Sequence, residues 1–127
     1  MSFGNIAVSA TTPGATTLSP SGTRTTGGGG GVTLPGTTGT VSPASFTVSG
    51  QANYTYTITL PGTCIINDAS GNTITGNAFT SSPSSSGMLS ALGTQVLNIG
   101  ATLNFVAGQP PGSYTNAAGL PVTVNYN

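Results

Sequence analysis

Residues 54–60, YTYTITL, carry the clearest β-strand pattern in the chain. Large apolar side chains alternate with threonines, so one face of the strand suits a protein core and the other suits water. The apolar face would hold Tyr54, Tyr56, Ile58 and Leu60. This pattern predicts a central strand of an antiparallel sheet.

The same alternation recurs on both sides of this stretch. ASFTVSG, residues 44–50, would place Ala44, Phe46 and Val48 on one face. GTQVLNIGATLNFVAG, residues 93–108, repeats the pattern over a longer span, and Gly100 in its middle predicts a bend or a break into two strands. Short strands joined by polar turns, without crossover helices, predict a single all-β domain over residues 1–127, an antiparallel sandwich or barrel.

Charge is nearly absent from the sequence. Arg24 and Asp68 are the only charged side chains, 2% of the chain, against about 25% in ordinary soluble proteins. One basic residue cannot neutralise a run of phosphates or hold a protein on an anionic membrane, and no apolar run is long enough to span a bilayer. We therefore expect no nucleic-acid partner and no membrane insertion. A neutral surface also favours association between copies.

The residues that most enzymes use are missing as well. The chain has no His, its only basic side chain is an arginine, and it has a single Asp or Glu, so general acid/base pairs and nucleophilic triads cannot form. We expect no enzymatic activity, no cofactor and no metal site. Cys64 is the only cysteine and is either a buried thiol or one half of an intermolecular bridge; its strand-like setting, TCIIN, favours burial.

A glycine-rich segment interrupts the strand pattern. Residues 22–31 read GTRTTGGGGG and end in five consecutive glycines. Such a run is either a flexible loop or a place where two backbones approach closely. The composition favours a flexible loop near residues 22–31.

A series of short motifs resembles a known family in its order along the chain. FGNIAV at residue 3 is followed by SPSGTRT, GVTL, SPASFTVSG, YTITLP, LNIGATLNF, GSYT and VTVNYN. This order resembles a family of secreted bacterial β-sandwich domains of unknown function, whose members are similar to fimbrial and spore-coat-U-type subunits. The resemblance implies an immunoglobulin-like, fimbrial-type sandwich that reaches the cell surface after removal of a signal peptide. It carries no catalytic assignment.

One departure from that family suggests how the fold is completed. Members commonly have a further alternating strand before the FG motif, whereas this chain starts at MSFG, which implies that Met1 is an internal residue of a longer precursor. We therefore expect an incomplete sandwich whose missing edge strand is supplied by a neighbouring subunit. Repeated head to tail, such a contact produces a fibre.

Two segments are candidates for the contact between subunits. The first lies near the start of the chain and the second at its end, and in the alternative interpretation both complete their own sandwich. For the C-terminal segment we expect pairing within its own subunit, beside the place where a neighbour's strand enters. The expected contact residues are Phe3, Ile6, Val8, Val122, Val124 and Tyr126.

Three functions are compatible with these features. The first is a pilin-like structural subunit that assembles with other copies into an extracellular filament, as in a fimbria or biofilm, with the help of a periplasmic assembly factor. The second is a monomeric binding module of a surface protein that contacts polysaccharide. The third is a flat threonine surface, formed by Thr55, Thr57 and Thr59, that binds ice or a crystalline polymer. A solvated sheet face explains these threonines equally well.

Overall fold

The chain folds entirely into β-strands, turns and loops. The computed structural model describes residues 1–127 and contains no helix, so no long apolar helix is available to cross a membrane. All strand pairs are antiparallel, which confirms the all-β antiparallel prediction. The strands are β1 (Ser2–Phe3), β2 (Ala7–Val8), β3 (Gly14–Leu18), β4 (Arg24–Gly27), β5 (Val32–Thr33), β6 (Val41–Ser42), β7 (Ala44–Ser49), β8 (Thr55–Thr59), β9 (Thr63–Asn67), β10 (Thr73–Ser82), β11 (Ser86–Met88), β12 (Thr94–Phe105) and β13 (Thr123–Tyr126).

The largest sheet has six strands and is organised around β12. On one side β12 pairs with β10, and β10 pairs in turn with β9, which forms an edge of the sheet. On its other side β12 pairs with β7 through its first half and with β3 through its second half, and β3 then pairs with β4. A single long strand thus connects both halves of the sheet.

Gly100 marks the point at which β12 changes partners. The sequence predicted a bend or a break here, but β12 runs without interruption from Thr94 to Phe105. Ile99 pairs with β7 and Ala101 with β3, so residue 100 lies where one partner strand ends and the other begins. A Cβ atom at this position would collide with the carbonyl oxygen of Leu18. The glycine therefore allows a close approach of two backbones and does not end the strand.

Three smaller sheets cover the inner face of the large one. β8 lies between β11 and β13 in a three-stranded sheet, while β1 pairs with β6 and β2 pairs with β5. The middle position of β8 confirms the prediction made from YTYTITL, and Tyr56 within it is fully buried. The C-terminal strand β13 pairs with β8 of its own chain.

The core consists of two hydrophobic clusters that are covered by different strands. The three-stranded sheet packs over the first cluster, whereas the second is covered by the short N-terminal strands. The first cluster comprises Ala44, Val48, Tyr56, Leu89, Leu97 and Ile99. The second cluster comprises Val32, Ile74, Leu103 and Phe105. Only 19 of 127 residues are buried, so the sandwich-like arrangement has a modest core.

The glycine-rich segment differs from its sequence interpretation as a loop. Residues 24–27 form β4, which pairs with β3. The turn that follows β4 passes over the residues just before β3. A Cβ atom at Gly31 would collide there with the carbonyl oxygen of Thr12. Two backbones therefore approach closely at Gly31, which was the second of the two interpretations of the glycine run. The flexibility of the turn stays a prediction.

Candidate functional site

A wide groove lies over the second cluster. Its volume is about 1230 Å³, larger than the roughly 300–1,000 Å³ typical of sites for small molecules. The N-terminal segment (residues 1–8) and the loop that follows β12 contribute its walls, and the inner face of the six-stranded sheet contributes its floor. The floor residues are Cys64, Ile66, Ile74, Phe79, Ala101, Leu103 and Phe105.

The chemistry of the groove suits an uncharged, largely apolar occupant. Of its 26 lining residues 14 are hydrophobic, and none carries a charged side chain. The polar lining groups are hydroxyls and amides, such as those of Ser2, Asn5, Gln109 and Thr115. An occupant with alternating apolar and polar side chains could place the apolar ones on the floor and leave the polar ones near the rim.

The N-terminal segment is held in place by Arg24. Nη1 of this arginine donates hydrogen bonds to the carbonyl oxygens of Phe3, at 2.7 Å, and Asn5, at 2.8 Å. Between them Gly4 has a φ of 65°, a left-handed conformation that favours glycine. Asn5 also donates its backbone N–H to the carbonyl of Thr38, at 2.8 Å. The only basic side chain of the protein therefore fixes one wall of the groove.

The outer edge of β13 has no strand beside it. Asn127 donates its backbone N–H to the carbonyl oxygen of Thr55 in β8. Ile58, which lies opposite Val124, donates its N–H to the carbonyl oxygen of Ser85, on the side of β8 away from β13. Backbone groups alternate in direction along a strand, so those of Val124 and Tyr126 point away from β8. β13 pairs with no other strand. These outward groups, which we call the β13 edge, are available to a further strand.

The groove and the β13 edge are connected through shared side chains. Phe79 and Leu120 line the groove and also pack against the first cluster. Val122 and Val124 pack against the same cluster. An extended segment in the groove could therefore continue along β13.

The number of backbone hydrogen bonds is low for a chain of this length. Folded proteins have roughly one hydrogen bond per residue, about two-thirds of them between backbone groups, which would give about 85 in 127 residues. The structure has 57. Short strands and open edges account for this difference, because each edge leaves a row of donors and acceptors unpaired.

The predicted contact residues fall into two groups in the structure. Phe3, Ile6 and Val8 line the groove and pack against the second cluster. Val122 and Val124 pack against the first cluster and do not line the groove. Tyr126 is 51% exposed and its hydroxyl donates to the carbonyl oxygen of Ser49, at 2.5 Å. Contact of these residues with another subunit stays a prediction.

Sequence reasoning did not identify the floor of the groove. In the sequence Ile66, Ile74, Leu103 and Phe105 are only apolar positions within strand-like stretches. Their alternation was the available signal, but it shows only that these side chains point inward. Which inward-pointing side chains line a groove depends on how the smaller sheets are placed above them.

Cys64 is half-buried on the floor of the groove. A Cβ atom at Gly76, on the neighbouring strand, would meet its Sγ at 2.6 Å, so the glycine makes room for the thiol. Burial raises the pKa of the Cys64 thiol, which keeps it protonated at neutral pH. Its position makes the thiol a probe of whether the groove is filled.

The two charged side chains do not pair with each other. Asp68 lies in the turn between β9 and β10, where its carboxylate accepts hydrogen bonds from the backbone N–H groups of Ser70 and Asn72 and from the side chain of Asn72. The Asn72 side chain is the largest cause that lowers the pKa of Asp68, and the backbone donors add to it. The structure holds no cluster of residues that could bind a metal ion.

Stability should vary little with pH between about pH 5 and pH 8.5. Asp68 has a lowered pKa in the folded state, so its stabilisation is complete above the unfolded pKa of about 3.9 and is lost as the pH falls through the folded value. Cys64 and Tyr56 have pKa values raised mainly by burial, so their contribution is lost as the pH rises above about 9 and 10, respectively. Thermal unfolding midpoints measured from pH 3 to pH 11 test this. A clear maximum inside the flat range would contradict it.

Together these features define an all-β, sandwich-like domain with a groove beside the second cluster of its core. The chain belongs to the DUF4402 family, described as a domain of unknown function, whose sequence model matches residues 1–126. No curated protein and no solved structure matches the chain significantly. Membership in this family confirms the resemblance to a family of unknown function, to which no activity is assigned.

Proposed function

We propose that this protein is a pilin-like structural subunit that assembles into an extracellular fibre by strand complementation. An extended segment of a neighbouring copy would enter the groove and pair with the β13 edge. The single observation that carries the proposal is the groove itself, since an apolar floor beside unpaired backbone groups is what an added strand requires.

The energetics favour such an occupant. Its apolar side chains would cover the lining residues that are still partly exposed, such as Ile66 and Phe79, which is worth about 25 cal/mol for each Å² removed from water. Its backbone would pair with the outward groups of Val124 and Tyr126, which otherwise depend on water. No side chain that lines the groove is charged, so lining side chains would not repel an uncharged strand of a second copy.

The sequence resemblance to fimbrial subunits supports the same role. On this proposal the protein acts outside the cell and without catalysis, because the chain has neither His nor a pair of carboxylates. Its principal partner is another copy of itself, and a periplasmic assembly factor would protect the groove before assembly. A neutral, hydroxyl-rich surface is compatible with the changes in pH and salt that occur outside cells.

A monomeric binding module is the second candidate. Tyr54 is 45% exposed and Tyr126 is 51% exposed, and exposed aromatic rings are the groups on which sugars pack. This candidate requires that the protein remain a monomer with its groove open to solvent.

Negative-stain electron microscopy of the purified protein at neutral pH tests the proposal. We expect filaments that resist detergent at room temperature and release single chains on boiling, as strand-complemented polymers of high kinetic stability do. In filaments Cys64 should be protected from a maleimide reagent, because the incoming strand covers the groove floor. Particles that remain monomeric at every concentration, with a reactive Cys64, would overturn the proposal in favour of the binding module.

A further inference from the structure

The second cluster is already covered in the single subunit. Its four residues are no more than 6% exposed. Part of this cover comes from the N-terminal segment, whose Phe3, Ile6 and Val8 pack against the cluster. A neighbour's strand that enters the groove would place its own apolar side chains on the same cluster. It can reach the cluster only after the side chains that now cover it have moved away.

Backbone pairing holds the N-terminal segment with short strands only. β1 and β2 have two residues each, and their partners β6 and β5 are equally short. Neither pair belongs to the six-stranded sheet. Of the other side chains over the cluster, Ile66 belongs to β9 of that sheet, and Tyr114 precedes Thr115, which exchanges two hydrogen bonds with β9. Elements with few paired groups open locally at a lower free energy than core strands, so the segment can leave while the large sheet stays intact.

One side chain of the large sheet fastens the segment. Arg24 lies in β4, opposite Leu18 of β3, and both of its hydrogen bonds to the segment come from Nη1. Hydrogen bonds from a charged donor are stronger than those from a neutral one, and a guanidinium does not lose its proton in proteins. The only carboxylate side chain, that of Asp68, is bound within its own turn. Arg24 is therefore free to serve the segment alone.

We propose that the N-terminal segment is an autoinhibitory strap, which Arg24 holds over the second cluster and which keeps the groove closed to a neighbour's strand until it is displaced. This inference rests on the proposed function and adds a step that precedes assembly. Only subunits whose segment is open accept a strand, so the apparent affinity between subunits falls in proportion to the open fraction. The incoming strand gains a contact that the segment lacks, because the segment pairs with β5 and β6 and not with the β13 edge.

Hydrogen exchange of the single subunit, followed by NMR, tests the role of Arg24. The backbone N–H of Asn5 is bonded to Thr38, so its exchange reports the opening of the segment. In Arg24→Gln we expect this proton to exchange about tenfold faster than in the unsubstituted protein, with β12 unchanged, because a neutral amide replaces the charged donor. Thr25→Gln is the matched control, since it places the same side chain at the next, exposed position of β4. Equal rates in the two variants would overturn the proposal.

A reversible disulfide tests whether the segment must move before subunits assemble. Ser2 and Ser42 pair across β1 and β6, and the Cα atoms of such partners lie about 4.5–5.5 Å apart, a distance that a disulfide spans. The test protein carries Ser2→Cys, Ser42→Cys and Cys64→Ser. We expect the oxidised protein to remain as single subunits in gel filtration and electron microscopy, and the same protein to form filaments after reduction. Cys64→Ser alone, with and without reductant, is the control.

Filaments that grow equally well from the oxidised and the reduced protein would overturn the proposal. Failure of the two introduced thiols to form a disulfide would also overturn it, because the segment would then not stay beside β6. If none of these proteins forms filaments, the proposed function is wrong. The exchange rate of Asn5, which needs no assembly, then decides by itself whether Arg24 holds the segment closed.

Discussion

Replacement of Val124 by proline should abolish filaments while the single subunit remains folded. The backbone N–H of Val124 points away from β8, so its removal costs no internal hydrogen bond. An incoming strand would lose that donor and meet the proline ring. The loss of one hydrogen bond, about 1.4 kcal/mol, weakens each contact at least tenfold, and the ring adds to this.

The matched control is Val124→Ala. Alanine also shortens the side chain that packs against the first cluster but keeps the N–H group, so this variant should still assemble. Electron microscopy and gel filtration measure assembly, and thermal unfolding of the monomers measures the fold. If Val124→Pro forms filaments as readily as Val124→Ala, the β13 edge is not the docking site.

Substitution of Gly100 by alanine should cause a large loss of stability through a single methyl group. The new Cβ would collide with the carbonyl oxygen of Leu18 and with the neighbouring backbone of Ser19, which are less able to move than a side chain. Such overpacking costs about 3 kcal/mol. Domains of this size have a free energy of unfolding of about 5–15 kcal/mol, so the thermal midpoint should fall by about 10 °C.

Gly27→Ala is the control for this prediction. Gly27 also lies in a strand of the large sheet, but nothing lies within 4 Å of a Cβ atom placed there. Alanine at that position should be neutral or stabilise the protein by about 0.5 kcal/mol, because it restricts the unfolded chain. Equal midpoints for the two variants would show that β3 can shift away from β12 at little cost.

Local pattern was enough to predict the longer strands β7, β8 and β12, although Phe46 and Tyr54, which the alternation placed with the apolar faces, are 40% and 45% exposed. The alternation in YTYTITL identified β8 and its buried Tyr56, and the alternation around Leu97 and Leu103 identified the buried face of β12. Both patterns arise from a period of two residues, which depends only on neighbours in the chain. The all-β class follows from them.

Which strands pair with each other could not be predicted from local pattern. Gly100 suggests an interruption when the chain is viewed alone, and only the meeting of β7 and β3 along β12 shows why glycine is needed. Arg24, which we assigned no role from the sequence, holds the N-terminal wall through two carbonyl oxygens more than fifteen residues away. The groove depends on several such long-range contacts, so the sequence indicated its wall residues Phe3, Ile6 and Val8 but not its floor.

The anchoring of Arg24 also bears on resistance to digestion. Trypsin-like proteases cut after Lys or Arg, and this chain has one such residue. Its side chain is half-buried and bound to the N-terminal segment, and its backbone belongs to β4, which is paired with β3. A protease must bind its target as an extended segment, so cleavage requires β4 to detach from the sheet and Arg24 to release the N-terminal segment. The contact that shapes the groove thus also shields the one bond that such a protease could cut.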